Sequence, residues 1–416
     1  MPKVLIYCRE LAGHRQIYCH VIARYFLANR YKVVLAVGCL PSHAGSNQQS
    51  FSPLIESLRS DPDVEVEYLK TEENNQGHDP TVELYIIQQL QQRHDANLLF
   101  FPDGDSLRLI LVNVVNRQAI ALRGGCAAIF LRLSSLDLVQ WFPLRKESFI
   151  SVLRKINACQ RDFIFFKHAL SKQIPGIHAF VLDPRFVNVM HQANIQWLPD
   201  ISTSFDQGNN GAADQGKIYD SLHKFLLKNH DKEPILYFGT NQQRRGYEWL
   251  LKLVHDHPDT VFLHCGRLDE TRTLNEAVSG MRQQLDKEER LFETKVFITD
   301  KKIVDTAFQV SRYVLLPYAS HYGSSGVMIQ AASYGKAVLV PRGGLMAFWV
   351  NRFRFGRVFA EGSYSDFQRE FNLLRKDRNS YTTAAYRYAG AFSQQAVYSA
   401  LDIGLHRFTD IIRPNS

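Results

Sequence analysis

Short runs of β-branched and aromatic residues, each followed by a longer stretch with helical spacing, recur along this chain, break once, and start again. The first series is KVLIYC (3–8), KVVLAVG (32–38), VEVEYL (64–69), NLLFFP (97–102), AAIFLRL (127–133), DFIFF (162–166) and AFVLD (179–183). Between them lie amphipathic segments such as 14–30, where Ile17, Val21, Tyr25 and Ala28 share a face, and 81–94, with Val82, Tyr85, Ile86 and Leu90. Near-continuous apolar strands alternating with helices predict parallel α/β sheets covered on both faces. Residues 201–217, ISTSFDQGNNGAADQGK, show no periodicity and read as a connection. The alternation then resumes with PILYFG (234–239), TVFLHCG (260–266), KVFIT (295–299), YVLLPY (313–318), AVLVP (337–341) and RVFA (357–360).

The restart predicts two Rossmann-like doubly wound domains facing a central cleft, because such sheets bind ligands outside the carboxyl ends of their strands. The expected division is 1–200 for the first domain, 201–232 for the connection and 233–383 for the second domain. A C-terminal helix, 384–416, is expected to pack back on the first domain.

Composition narrows the setting. The longest apolar runs are shorter than ten residues, far below what crosses a bilayer. The start, MPKVLIYCRE, lacks the layout of a signal peptide. Six cysteines lie scattered with no CxxC spacing, which argues against a zinc site or a disulfide framework and for a cytoplasmic protein. The net charge of +8 is uneven: residues 50–105 hold 3 Lys/Arg against 12 acids, and residues 106–198 hold 12 against 4. The surplus is local, and no nucleic-acid reader motif accompanies it. Within it, 140–172 combines Trp141, Phe142, Phe149, Ile150, Leu153 and Ile156 with Arg145, Lys146, Arg154 and Lys155. A basic helix with aromatics suits peripheral contact with the inner face of an anionic membrane; the plainer reading is a helix packed on the sheet with a solvated basic edge.

The most specific stretch is YVLLPYASHYGSSGVMIQAASYGKAVLVP (313–341): strand, Gly/Ser loop, helix, Gly, strand. Gly323, Ser324, Ser325 and Gly326 stand just before the helix, where free amides and the positive dipole end suit a diphosphate. A tight strand-to-helix turn of small residues is the plainer reading. The segment resembles the donor-binding signature of retaining GT-B glycosyltransferases, especially glycosyltransferase family 4. Aligned on Gly335-Lys336-Ala337-Val338, the place of that family's second glutamate is held by Gln330, and that of its first by Tyr322 or the neighbouring His321. The resemblance implies that Gln330 meets the nucleotide ribose, by hydrogen bonds without charge, and that Tyr322 or His321 meets the donor sugar. It implies a diphosphate among the amides of Ser325, Gly326 and Val327.

ILYFGTNQQRRGYEWLLKLV (235–254) resembles the opening of the same family's donor domain. Gly239 and Arg245-Gly246 keep its spacing, Thr240 stands where an arginine is usual, and Arg244 is an alternative to Arg245. Arg245 is then the residue that neutralises charge on the leaving diphosphate. The resemblance also places Thr299 and Asp300 at the base, and Gly13, in the turn after the first strand, near the sugar or phosphate; Gly13 and His14 are catalytic candidates there, His14 fitting a helix cap or a surface residue just as well. Asp103-Gly104-Asp105 follows a strand as a D-x-D metal motif would, yet it lies in the presumed acceptor domain and PDGD is ordinary turn chemistry. There Asp103 and Asp105 are acceptor-side candidates, Asp105 for an acceptor hydroxyl.

The expectation is a metal-independent, retaining glycosyltransferase with no cofactor. UDP or GDP would carry the donor sugar, and the acceptor would be a sugar, a natural product or a lipid-linked molecule. Because both glutamates are replaced, a non-catalytic binding or assembly relative stays open, as does a sugar-nucleotide epimerase or phosphorylase.

Overall fold

A computed structural model describes residues 1–11, 15–38, 52–69, 80–105, 124–131, 177–190, 194–201, 215–268, 274–296, 298, 300–377 and 381–412. The chain divides into two compact units, Met1–Ile201 with Ser393–Ser416, and Ser202–Phe392.

In the first unit seven parallel strands form one sheet: β1 (Lys3–Cys8), β2 (Lys32–Val37), β3 (Val64–Tyr68), β4 (Leu98–Phe101), β5 (Gly125–Phe130), β6 (Ile177–Val181) and β7 (Ile195–Trp197). Their order across the sheet is β3-β2-β1-β4-β5-β6-β7, so the winding reverses between β1 and β4. Strands β4 and β5 are buried along their whole length, as apolar runs covered on both faces must be. Helices α1 (Arg15–Ala28), α2 (Pro53–Glu56), α3 (Pro80–Arg93) and α4 (Pro184–Met190) connect them. The core gathers Leu5, Val34, Leu99, Phe101, Ala128 and Val181 with Leu84, Ile87 and Leu90 of α3.

The second unit repeats the plan with six parallel strands: β8 (Glu233–Phe238), β9 (Thr260–Arg267), β10 (Leu291–Lys295), β11 (Tyr313–Leu315), β12 (Ala337–Pro341) and β13 (Gly356–Phe359). Their order, β10-β9-β8-β11-β12-β13, places the reversal between β8 and β11. Its helices are α5 (Gln215–Lys228), α6 (Tyr247–Asp256), α7 (Glu276–Lys287), α8 (Lys301–Val310), α9 (Gly326–Ser333), α10 (Gly344–Phe353), α11 (Tyr364–Lys376) and α12 (Thr382–Ala391). Aromatic contacts dominate the far side, where Phe355 stacks on Tyr388 at 4.4 Å between centroids and Trp349 meets Phe392 edge-on.

Three expectations change. The third strand of the second unit is Leu291–Lys295, four residues before KVFIT; Lys295 takes a φ of 58° and ends the ladder, leaving Val296 exposed. Residues 215–228 of the expected connection form α5, which packs on α8 and β10. The expected C-terminal helix is two helices: α12 belongs to the second unit, and only α13 (Gln394–Ile412) belongs to the first, lying on β5, β6 and β7. The segments 140–172, 162–166 and most of 201–217 lie outside the described residues.

Gly404 lets α13 approach the sheet, since a Cβ there would stand 2.5 Å from the Phe180 ring and 2.8 Å from His178. Gly404→Val is therefore expected to destabilise the first unit by about 1–3 kcal/mol through overpacking. Urea unfolding with an unchanged midpoint would contradict this seating of the helix.

Candidate functional site

The reversal points of the two sheets are where doubly wound folds hold ligands, and their electrostatics differ. In the first unit, residues just after β1 and β4 form closed ion pairs. Arg15 Nε lies 2.6 Å from Asp103 Oδ2, and its Nη1 lies 2.5 Å from Glu10 Oε2. Arg9 pairs with the buried Glu83, which also accepts from the Tyr7 hydroxyl. Asp105 accepts the Leu131 amide at 2.9 Å, and the Gly104 amide donates to the Ile129 carbonyl at 2.7 Å. The PDGD sequence thus anchors a turn: Asp103 is engaged by Arg15, and Asp105 accepts the Leu131 amide. Gly13 and His14 lie outside the described residues. Arg15 carried no signal in the sequence beyond opening a helix.

In the second unit the turn after β8 and the loop after β11 are locked together. Gly239, at a φ of 111°, holds a backbone conformation that residues with a Cβ rarely adopt, and the Arg245 guanidinium lies against its Cα. Gly246, at a φ of 69°, lies against Pro317, whose carbonyl oxygen would be 2.5 Å from its Cβ. The Ala319 amide donates to the Arg244 carbonyl at 2.6 Å. These contacts bring Gly239, Thr240, Arg244 and Arg245 to the loop 318–325. The Thr240 carbonyl accepts from the Tyr237 hydroxyl at 2.9 Å and from the Gln242 amide at 2.8 Å, tightening the turn.

Arg245 lies with Cζ 5.7 Å from the centre of the Tyr318 ring, and its buried Nε has no hydrogen-bond partner among the described residues. Arg244 Nη1 lies 3.3 Å from His321 Nδ1, and His321 Nε2 lies 2.9 Å from the Ser324 carbonyl. A guanidinium only donates, so Nδ1 accepts and Nε2 carries the proton given to Ser324. No carboxylate among the described residues pairs with Arg244 or Arg245. The buried Ser324 hydroxyl likewise finds no partner there.

The loop continues into the amino end of α9. Ser325 caps it, its hydroxyl accepting the Met328 amide at 3.4 Å. Gly326 and Val327 form the first turn, whose amides have no intrahelical acceptor. Gln330 follows, 7% exposed. Tyr322 is fixed by its backbone: its carbonyl accepts the Leu345 amide at 2.8 Å, and Gly344, at a φ of 74°, leaves space for its main chain. Of the pair expected at the base, Thr299 lies outside the described residues. Asp300 caps α8 through the Lys302 amide at 2.7 Å, and its own amide donates to Gln215 Oε1 at 2.8 Å.

A buried polar network supports this edge from behind, and sequence reasoning missed it. His264 on β9, fully buried, has Nε2 3.0 Å from the Gly239 carbonyl and Nδ1 3.5 Å from Glu293 Oε1. Glu293 on β10 also receives Arg282 Nε at 3.1 Å and the Tyr247 hydroxyl. Burial works to raise the Glu293 carboxyl, but the hydrogen bonds from His264, Arg282 and Tyr247 outweigh it and hold it at about 2. With the folded value below the ordinary 4.5, its contribution is complete above pH ~4.5 and is lost as pH falls through ~2. Glu293→Gln should therefore remove on the order of 3 kcal/mol at pH 7, and little at pH 2. Equal losses at both pH values, by urea unfolding, would exclude Glu293 as the group titrating in that window.

No protein-family model matches the chain, and no curated protein matches it in sequence. Solved structures do match in fold. Sucrose-phosphate synthase from Thermosynechococcus elongatus superposes with a TM-score of 0.63 at 14% identity, covering 99% of this chain and all of that one. Anabaena HepE, solved in complex with UDP, gives 0.59 at 11% identity over 99% of this chain and all of its own. UDP-GlcNAc 2-epimerase from Neisseria meningitidis, bound to UDP-GlcNAc, gives 0.54 at 12% identity over 96% and 99%. The chain has the two-domain α/β fold that these proteins share, the GT-B fold.

Proposed function

We propose that the protein is a glycosyltransferase that takes its sugar from a nucleoside-diphosphate donor, UDP being the leading carrier. The observation that carries this is Arg245 after β8, set against Gly239 and Tyr318 with no carboxylate partner among the described residues, at the loop that leads into the capped amino end of α9. A cation and free helix amides carried by adjoining loops suit a diphosphate, whose charge grows as the sugar leaves. That solved relatives in fold hold UDP and UDP-GlcNAc supports the choice of carrier.

In this reading Arg245 and the amides of Gly326 and Val327 take the diphosphate, with Ser324 and Ser325 beside it. Gln330 takes ribose hydroxyls by neutral hydrogen bonds. The chemistry needs no metal where these groups carry the charge, and transfer proceeds with retention, as the resemblance to family 4 implies. The first unit supplies the acceptor, a sugar, natural product or lipid-linked molecule, and 140–172 provides peripheral membrane contact from the cytoplasmic side.

UDP at 100 times its Kd should stabilise the protein by about 2.7 kcal/mol, seen as a thermal shift, and EDTA should leave the shift intact. Arg245→Ala should lower kcat/KM at least tenfold, about 1.4 kcal/mol of lost transition-state stabilisation. A wild-type rate in that variant would remove Arg245 from the site.

The fold shared with UDP-GlcNAc 2-epimerases favours a second reading, an enzyme that converts the sugar nucleotide without an acceptor. Incubation with UDP-GlcNAc alone separates the two: formation of its 2-epimer supports the second reading, and an unchanged nucleotide sugar supports transfer.

A further inference from the structure

The carboxyl edge of the second sheet carries more fixed positive charge than a diphosphate needs. One phosphate charge can meet Arg245 and the other the amino end of α9, which leaves Arg244 unassigned. An exposed arginine ordinarily reaches into water on a flexible stem. Arg244 instead has its main-chain carbonyl held by the Ala319 amide and its Nη1 set 3.3 Å from His321 Nδ1. His321 is itself fixed, with Nε2 2.9 Å from the Ser324 carbonyl and its ring edge-on to Tyr318 at 5.3 Å. The guanidinium is therefore pre-oriented over the loop that leads into α9, beside the seat proposed for the diphosphate. Glu361, after β13, accepts the Ser320 amide at 2.6 Å and makes no ion pair with Arg244 among the described residues. Arg267, exposed at the end of β9, adds a further cation to the same edge with no carboxylate partner among the described residues.

Resting on the reading of this edge as a nucleoside-diphosphate seat, we propose that Arg244, oriented by His321, binds a second anionic group on the sugar side of the diphosphate. The physical reason is selectivity by charge. A guanidinium fork pre-set by a neighbouring ring loses little freedom on forming two parallel hydrogen bonds with a carboxylate or phosphate. The same fork gains less from neutral hydroxyls, which already hydrogen-bond water well. The substrate class is thus a sugar bearing its own anion. The anion can arrive as a carboxylate on the donor sugar, as in a nucleotide uronate, or as a phosphate on a second sugar bound beside UDP.

Isothermal titration with four probes tests this: UDP, UDP-glucose, UDP-glucuronate, and glucose 6-phosphate added to the UDP-saturated protein. The donor source predicts that UDP-glucuronate binds at least tenfold more tightly than UDP-glucose. The second-sugar source predicts saturable binding of glucose 6-phosphate where glucose shows none. In either case Arg244→Ala should bring the preference to within twofold, while Arg244→Lys keeps part of it because charge remains without the fork. Equal affinities for UDP-glucose and UDP-glucuronate, with no binding of glucose 6-phosphate, would overturn the proposal while leaving the diphosphate seat standing. So would a preference that survives in Arg244→Ala. Failure of UDP itself to bind would instead refute the diphosphate seat, and this inference with it.

Discussion

The carbonyl of Gly239 is the point on which the second unit's working edge turns. It ends β8 at a backbone angle open to glycine, receives His264 from the neighbouring strand, and lies directly behind the Arg245 guanidinium. His264 is in turn set against Glu293, and Glu293 against Arg282 and Tyr247, so three strands and two helices converge on one peptide group. A buried carboxylate is costly unless its oxygens are satisfied. Here the satisfaction comes from donors that also fix the strand ends in register. The turn that presents two arginines is held by buried hydrogen bonds, so the cations do not depend on one another for their placement.

The two units use one topology to opposite electrostatic ends. Among the described residues at the first reversal point, Arg9 and Arg15 meet Glu83, Glu10 and Asp103, which cancels their charge. At the second, Arg244 and Arg245 meet aromatic rings, a histidine and backbone, none of which neutralises them. A doubly wound sheet places loops at its carboxyl edge without specifying their charge. The contrast therefore belongs to the loops.

Much of the fold was legible because parallel strands buried on both faces are nearly unbroken apolar runs. KVLIYC and AVLVP need no other signal, and both became strands. β10 escaped for a physical reason: its middle residue, Glu293, is polar yet buried, so LFETK looks like a surface segment while KVFIT beyond it looks like a strand. The site divides along the same line. The Ser/Gly loop before α9 stood out by its composition, because backbone geometry constrains those residues, and Gly239 and Arg245 were singled out through the family resemblance. His264 and Glu293 were not, since a supporting pair is defined only by the register of strands 29 positions apart, β9 on β10. Arg15 and Asp103 are likewise joined by tertiary structure alone.

The helix α13 completes the first sheet from the far end of the chain. Its contacts with β5, β6 and β7, and the fit of Gly404 against Phe180, are made by residues separated by more than half the sequence. During synthesis the strands of the first unit emerge early, but the helix that covers part of them follows only after the whole second unit has been made. The first unit must therefore wait, with the Phe180 side of its sheet uncovered, while its neighbour folds. Emergence of α13, rather than completion of its own strands, is the event that closes it.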